Sequence, residues 1–172
     1  MKKPQTILGV DPGLRHTGYC VLRDGKVTEH GVILAEGHGK LPLPDAIRIA
    51  IAGLSSIIRR AQPSAAAVEQ VGWYGSRKAI TLPLSHVAGG IAGYLLALNI
   101  PVYLLLATQR RASSVKRPRK GWEEHDLDAY ELALLAKAHL DVLDADGGSI
   151  PRALLAVDRR KIIIPRDVHG AP

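Results

Sequence analysis

The sequence predicts an α/β domain built on a mixed five-stranded sheet, three antiparallel strands followed by parallel ones, with helices flanking it. Three observations carry that reading. An apolar run, Ile7 to Val10, ends on Asp11, breaks at Pro12-Gly13 and resumes at Tyr19 to Leu22, the pattern of a buried strand, a tight turn and a returning strand. Arg23-Asp24-Gly25 joins that strand to a third, Lys26 to Leu34, and Asp-Gly is a strong short hairpin signal. Beyond residue 44, strand-like and helix-like segments alternate, which implies parallel pairing through right-handed crossovers.

After a Gly- and Pro-bearing loop, Glu36 to Pro44, a helix is expected from Asp45, with apolar residues at 46, 47, 49, 50, 54, 57 and 58, ending before Pro63. Ser64 to Val71 reads as a central strand carrying Glu69 near its end. Ile80 to Asn99 reads as a second helix, and Pro83 suggests that its true start is nearer Leu82. A fifth strand follows at Ile100 to Leu106. Residues 123 to 143 form a third patterned helix, with Leu127, Tyr130, Leu134, Ala138 and Leu140 or Val142 on its inner side. In the tail, Pro151 to Lys161 suggests a short helix and Ile162 to Ile164 a strand. Asp144-Ala-Asp146-Gly-Gly-Ser is read as a turn, because a calcium loop would need an acid where Leu155 stands.

At 172 residues the chain is one domain of ordinary size, with no internal repeat and no interdomain linker. Residues 1–144 form the domain and 145–172 an extension of unassigned role. No apolar run approaches membrane-spanning length and Met1-Lys-Lys-Pro does not lead into a signal-peptide core, so a soluble cytoplasmic protein without a membrane partner is expected. The single cysteine, Cys20, lies in the returning strand and reads as a small core residue. A net charge of +7 suggests a polyanionic partner.

Acids stand where a core rejects them: Asp11, Glu69, and the start of the third helix, Glu123-Glu124-His125-Asp126-Leu127-Asp128. Asp11 and Glu69 sit at carboxyl ends of strands, outside which ligands collect in open sheets. His125 and Asp128 are three apart and share a helix face. Glu123, Glu124 and Asp126 are explained by the helix dipole, which favours acids in the first turn. Two carboxylates ~4 Å apart repel by ~4 kcal/mol at an effective dielectric of 20, so convergence calls for a cation. Hard oxygen ligands with one imidazole suit Mg²⁺ or Mn²⁺, and a pair of such ions would clamp the attacking and leaving oxygens of a phosphodiester.

Ile-Leu-Gly-Val-Asp11-Pro-Gly-x-Arg-x-Thr-Gly-Tyr, then Ala-Val-Glu69-Gln-Val, then His125-Asp-Leu-Asp128-Ala-Tyr-Glu-Leu-Ala resemble, in order and spacing, the three signatures of the RuvC family of Holliday junction resolvases. The resemblance covers about residues 5 to 142. It implies an RNase H-like fold, a homodimer, and divalent-metal nicking of two opposing strands of a four-way DNA junction. It places Asp11, Glu69 and Asp128 on the family's metal-binding acids, and His125 where many members carry Asp and some His, a change that favours Mn²⁺. It also makes Trp73 or Tyr74, in the Gly-flanked loop after Glu69, the aromatic that wedges into the junction centre, with Arg77 and Lys78 beside it for phosphates. The second helix, with Gly89, Gly90 and Gly93, lies at the dimer interface in the family, although packing on the sheet explains interior glycines as well.

The chain departs from the family between the fifth strand and the last helix. Where members usually carry an additional basic helix, only Thr108 to Trp122 fills the gap, holding Arg110, Arg111, Lys116, Arg117, Arg119 and Lys120 and no acid. A solvated charged face would look the same, yet a run placed immediately before the metal helix is well sited to hold a DNA backbone. The expected mechanism has Asp11 bridging two ions, Glu69 on one and His125 with Asp128 on the other, and water attacking phosphorus in line. The alternatives are a branched- or flap-DNA nuclease of the same fold and a junction-binding module that does not cut.

Overall fold

The structure, a computed structural model, describes residues 5–36, 41–70, 78–108, 121–145 and 153–155. Its elements run β1 (Thr6–Asp11), β2 (His16–Arg23), β3 (Lys26–Leu34), α1 (Leu43–Ala61), β4 (Ala65–Gln70), α2 (Lys78–Ala97), β5 (Val102–Leu106), α3 (Glu124–Ala145) and β6 (Ala153–Leu155). The sheet order is β3-β2-β1-β4-β5-β6. β1, β2 and β3 pair antiparallel, and β4, β5 and β6 extend the sheet in parallel from β1.

The expected hairpin forms for the reason its residues suggest. Asp24 and Gly25 both take positive φ, 50° and 79°, as a two-residue turn matched to strand twist requires. The Asp24 carboxylate accepts the Gln5 N–H at 2.9 Å and ties the turn back to the start of β1. The first helix ends at Gln62 in the left-handed conformation, its N–H donating to the Ile58 carbonyl at 2.8 Å.

β1 and β4 are buried on both faces, so their alternate residues feed two cores. On one side Leu8, Val10, Val21 and Val68 pack against Leu54 and Ile57 of α1 and Val87, Ile91 and Leu95 of α2. On the other, Ile7, Cys20, Ala67, Tyr103 and Leu105 pack under α3. Cys20 is buried there, and burial foremost, with the charge of Asp126, pushes its thiol up to about 12, as expected of an inert core residue. Among the described residues no helix is long and apolar enough to cross a membrane.

Three expectations change. Pro83 lies inside α2 rather than near its start, so the helix forgoes one hydrogen bond in its second turn. Residues 153–155 form a strand instead of helix, adding a parallel partner to β5 along what would otherwise be the sheet's open edge. The remainder of the expected tail helix and strand lies outside the described residues.

The inner face of α3 also differs. Ala129, Leu132, Ala133, Ala136 and Leu140 are fully buried, whereas Leu127, Tyr130 and Leu134 flank the contact and Ala138 is exposed. The reason is a close approach. A Cβ at Gly9 would fall 1.9 Å from the Ala129 carbonyl oxygen and 2.9 Å from the Ala133 Cβ, so the helix rests on the strand through its alanines. Gly9→Ala is expected to push α3 off β1 and to cost ~1–3 kcal/mol. For a chain of this size that lowers the melting temperature by roughly 2–4 °C per kcal/mol, measurable in a thermal melt.

Candidate active site

The strand register places the first two acids. Gly9 pairs with Ala67 and Val10 with Val68 in parallel, and the same register carried one step further sets Asp11 beside Glu69 on strands about 4.8 Å apart. Alternation turns both toward the α3 face, as it does Ile7 and Ala67.

Across the antiparallel side Asp11 pairs with Gly18. A Cβ at Gly18 would lie 2.1 Å from the His125 carbonyl oxygen, so this glycine lets the first turn of α3 settle on the sheet next to Asp11. The turn between β1 and β2 is equally tight. A Cβ at Gly13 would meet the His16 carbonyl oxygen at 2.0 Å, and the Thr17 hydroxyl accepts the Gly13 N–H at 3.4 Å and donates to the Gly13 carbonyl at 3.3 Å.

Asp11, Glu69, His125 and Asp128, the four residues expected to act together, line one cavity of about 400 Å³. His125 Nδ1 donates to Asp11 Oδ2 at 2.7 Å, joining residues 114 positions apart in the chain. That hydrogen bond raises the His125 pKa above its ordinary value against the opposing effect of burial, and the charges of Asp11, Asp128 and Glu124 raise it further. Asp11 and Asp128 are almost wholly buried in a cavity that also admits Glu124.

Three carboxylates and an imidazole suit a hard divalent cation. Among the described residues no three such side chains already form a ligand cage. The His125–Asp11 bond accounts for part of that, because two prospective ligand atoms engage each other. The donor chemistry and the shared cavity fit a hard divalent cation.

The structure adds residues that sequence reasoning missed. Arg15, His16 and Leu84 line the cavity, and Glu124, attributed to the helix dipole alone, lines it too. The His16 ring stacks over His125, centroids 5.7 Å apart and planes within 14°. The signal was present in the turn's length, since a five-residue step from Asp11 to the start of β2 must bring His16 back over the same rim. Asp126, also explained from sequence by the helix dipole, is 3% exposed and hydrogen-bonded to His30 at 2.7 Å. The expected DNA-contacting residues Trp73, Tyr74, Arg77, Arg110, Arg111, Lys116, Arg117, Arg119 and Lys120, and the side chain of Lys78, lie outside what is described.

A three-strand meander continued by parallel crossovers, with acids from two strand ends and one helix lining one cavity, is an RNase H-like fold of the nuclease class. The family model for the crossover junction endodeoxyribonuclease RuvC matches residues 7–116, and the chain belongs to that family of endodeoxyribonucleases. It is 31% identical to the crossover junction endodeoxyribonuclease RuvC of Ralstonia nicotianae over 86% of this chain and 82% of the relative. With that of Magnetococcus marinus it shares 29% over 91% and 95%. The fold matches Thermus thermophilus RuvC in complex with a Holliday junction substrate, TM-score 0.67 at 18% identity, over 80% of this chain and 96% of that one.

Proposed function

We propose that this chain resolves four-way DNA junctions by hydrolysing a phosphodiester bond on each of two opposing strands, with Asp11, Glu69, His125 and Asp128 as the residues that hold divalent cations. The observation that carries it is the convergence of those four on one cavity, sealed by the Asp11–His125 hydrogen bond. Bound there, a pair of Mg²⁺ or Mn²⁺ ions supplies an activated water at neutral pH and neutralises the charge on the departing oxygen.

The chain's own groups do the rest. Asp11, with Glu69 beside it through the sheet register and His125 hydrogen-bonded to it, would hold the cations together with those two residues and Asp128. The Pro12–Gly13 turn is tied by Thr17, and the Asp11 carboxylate itself is held by His125. Arg15 lines the cavity while its Nη1 donates to the Ala35 carbonyl at 3.3 Å, and a phosphate oxygen of the strand being cut would meet its remaining donors. Trp73 or Tyr74 would stack on an unpaired base at the junction centre, and Arg77, Lys78 and the six cations between residues 110 and 120 would follow the backbone.

Cutting two opposing strands requires two such sites related by a twofold axis. The surface of α2 supports a homodimer. Leu82 and Leu96 are exposed at 57% and 40%, with Leu98 just past the helix end at 44%, and a Cβ at Gly89 or Gly93 would meet nothing within 4 Å among the described residues. Only Gly90 of the three approaches this chain, at Ile47. Leu96→Lys is expected to shift the protein from dimer to monomer in sedimentation and to replace paired cuts by single nicks on a junction held in a supercoiled plasmid. The activity itself is tested by incubating labelled junction, flap and linear duplex with Mg²⁺, Mn²⁺ or chelator. Paired nicks confined to the junction, lost with chelator, are expected; equal cutting of flaps supports the broader nuclease, and metal-independent binding without cutting supports the module.

A further inference from the structure

We propose that His30, Asp126 and Trp122 form a positioning clasp that sets the rotation of the first turn of α3, and through it the aim of His125 and Asp128. None of the three lines the cavity. The role rests on the metal reading above and concerns residues that reading does not use.

Asp126 has a side chain 4% exposed. An acid serving only the helix dipole has no need of burial, which costs several kcal/mol for an unpaired carboxylate. Its Oδ2 takes a 2.7 Å hydrogen bond from His30 Nδ1 on β3, while its Oδ1 is buried with no hydrogen-bond partner among the described residues. The same imidazole lies flat on the Trp122 ring, centroids 3.7 Å apart and planes within 4°, and Trp122 leans on Tyr130 at 5.4 Å. One side chain of β3 thus holds Asp126 in the first turn of α3 and Trp122 just before the helix begins, on either side of His125.

The geometry of a helix makes that hold specific. Residue 126 projects about 100° around the axis from 125 and about 200° from 128. Fixing 126 against the sheet therefore fixes where 125 and 128 point. Gly9 and Gly18 set how closely α3 lies on the sheet and which face it turns inward, and the clasp adds a side-chain tether at the first turn, next to His125, where a small residual roll would misplace the ligands. A roll of about 20° sweeps side-chain atoms about 6 Å from the axis by about 2 Å, more than a cation's coordination sphere tolerates. β3 supplies the anchor because His30 pairs with Cys20, one step along the same face from Gly18 and Asp11.

The test is direct Mn²⁺ binding, read as free ion by electron paramagnetic resonance well below the melting temperature, alongside thermal melts in chelator. Asp126→Ala and His30→Ala are each expected to weaken Mn²⁺ binding about 10-fold or more, the range typical of groups that orient metal ligands. Asp126→Asn, whose amide oxygen still accepts from His30, is expected to stay within about threefold of wild type. The double variant His30→Phe with Asp126→Ala leaves no buried charge and keeps a ring on Trp122, so it should melt near wild type. It should nevertheless bind Mn²⁺ as weakly as the single alanine variants. Wild-type binding of Mn²⁺ by the double variant, with binding lost in Asp11→Asn, overturns the clasp alone. Unchanged binding in Asp11→Asn overturns the metal reading and the clasp with it.

Discussion

Asp11→Asn is expected to abolish junction cleavage while leaving the fold intact. Asp11 neighbours Glu69 through the sheet register and His125 through a hydrogen bond, so both halves of the proposed ligand set depend on it. Asparagine keeps the shape and an oxygen that accepts from His125, but removes the charge that draws a dication. Loss of an orienting group typically costs 10–100-fold in metal affinity or activity, and loss of a shared ligand is expected to exceed about 100-fold. In chelator the same variant should melt at or above the wild-type temperature, because one of several clustered acids has been neutralised. Single-turnover cleavage and a melt in EDTA check both halves. Full activity, or collapse of the fold, contradicts the assignment.

The second large effect is a coupling between pH and metal. His125 binds a cation only as neutral imidazole, and in the metal-free protein its pKa is raised above 6.5, chiefly by the hydrogen bond to Asp11. Below the raised pKa a cation must displace the proton, so the Mn²⁺ concentration for half-maximal cleavage should rise by up to about tenfold per pH unit as pH falls. The sign for stability is opposite. A raised folded pKa contributes stability that is fully present below the unfolded value near 6.5 and fades as pH rises through the folded value. Metal-free protein should therefore lose, and metal affinity should gain, over the same interval above pH 6.5. His125→Asp removes the imidazole and should flatten that dependence, leaving a shallow slope set by carboxylates at lower pH. Metal titrations of cleavage at several pH values, with excess Mn²⁺ restoring the rate at low pH, test it.

Much of this was legible because the signals are local. Asp-Gly between two apolar runs can close only one way, and Asp11 and Glu69 announce themselves by ending buried strands. The five expected strands and three helices are present in the expected order, with β6 added. What escaped was set by distant contacts. Periodicity placed Leu127, Tyr130 and Leu134 inside α3, but Gly9 and Gly18, 100 residues and more upstream, select the alanine face. Asp126 sits among dipole-favoured acids and looks like one of them; only the register that puts His30 over Cys20 shows it to be buried. Pro83 reads as a helix start because propensity counts local cost, whereas α2 recovers that cost by packing Val87, Ile91 and Leu95 into the core.

Diffraction from crystals soaked in Mn²⁺, recorded for the anomalous signal of manganese, puts the question to the protein most simply. Manganese is expected in the cavity, bonded at about 2.1–2.3 Å to carboxylate oxygens of Asp11, Glu69 and Asp128, with His125 released from Asp11 and turned onto the ion. A cavity without manganese at saturating concentration, or manganese held elsewhere while His125 stays on Asp11, would contradict the account.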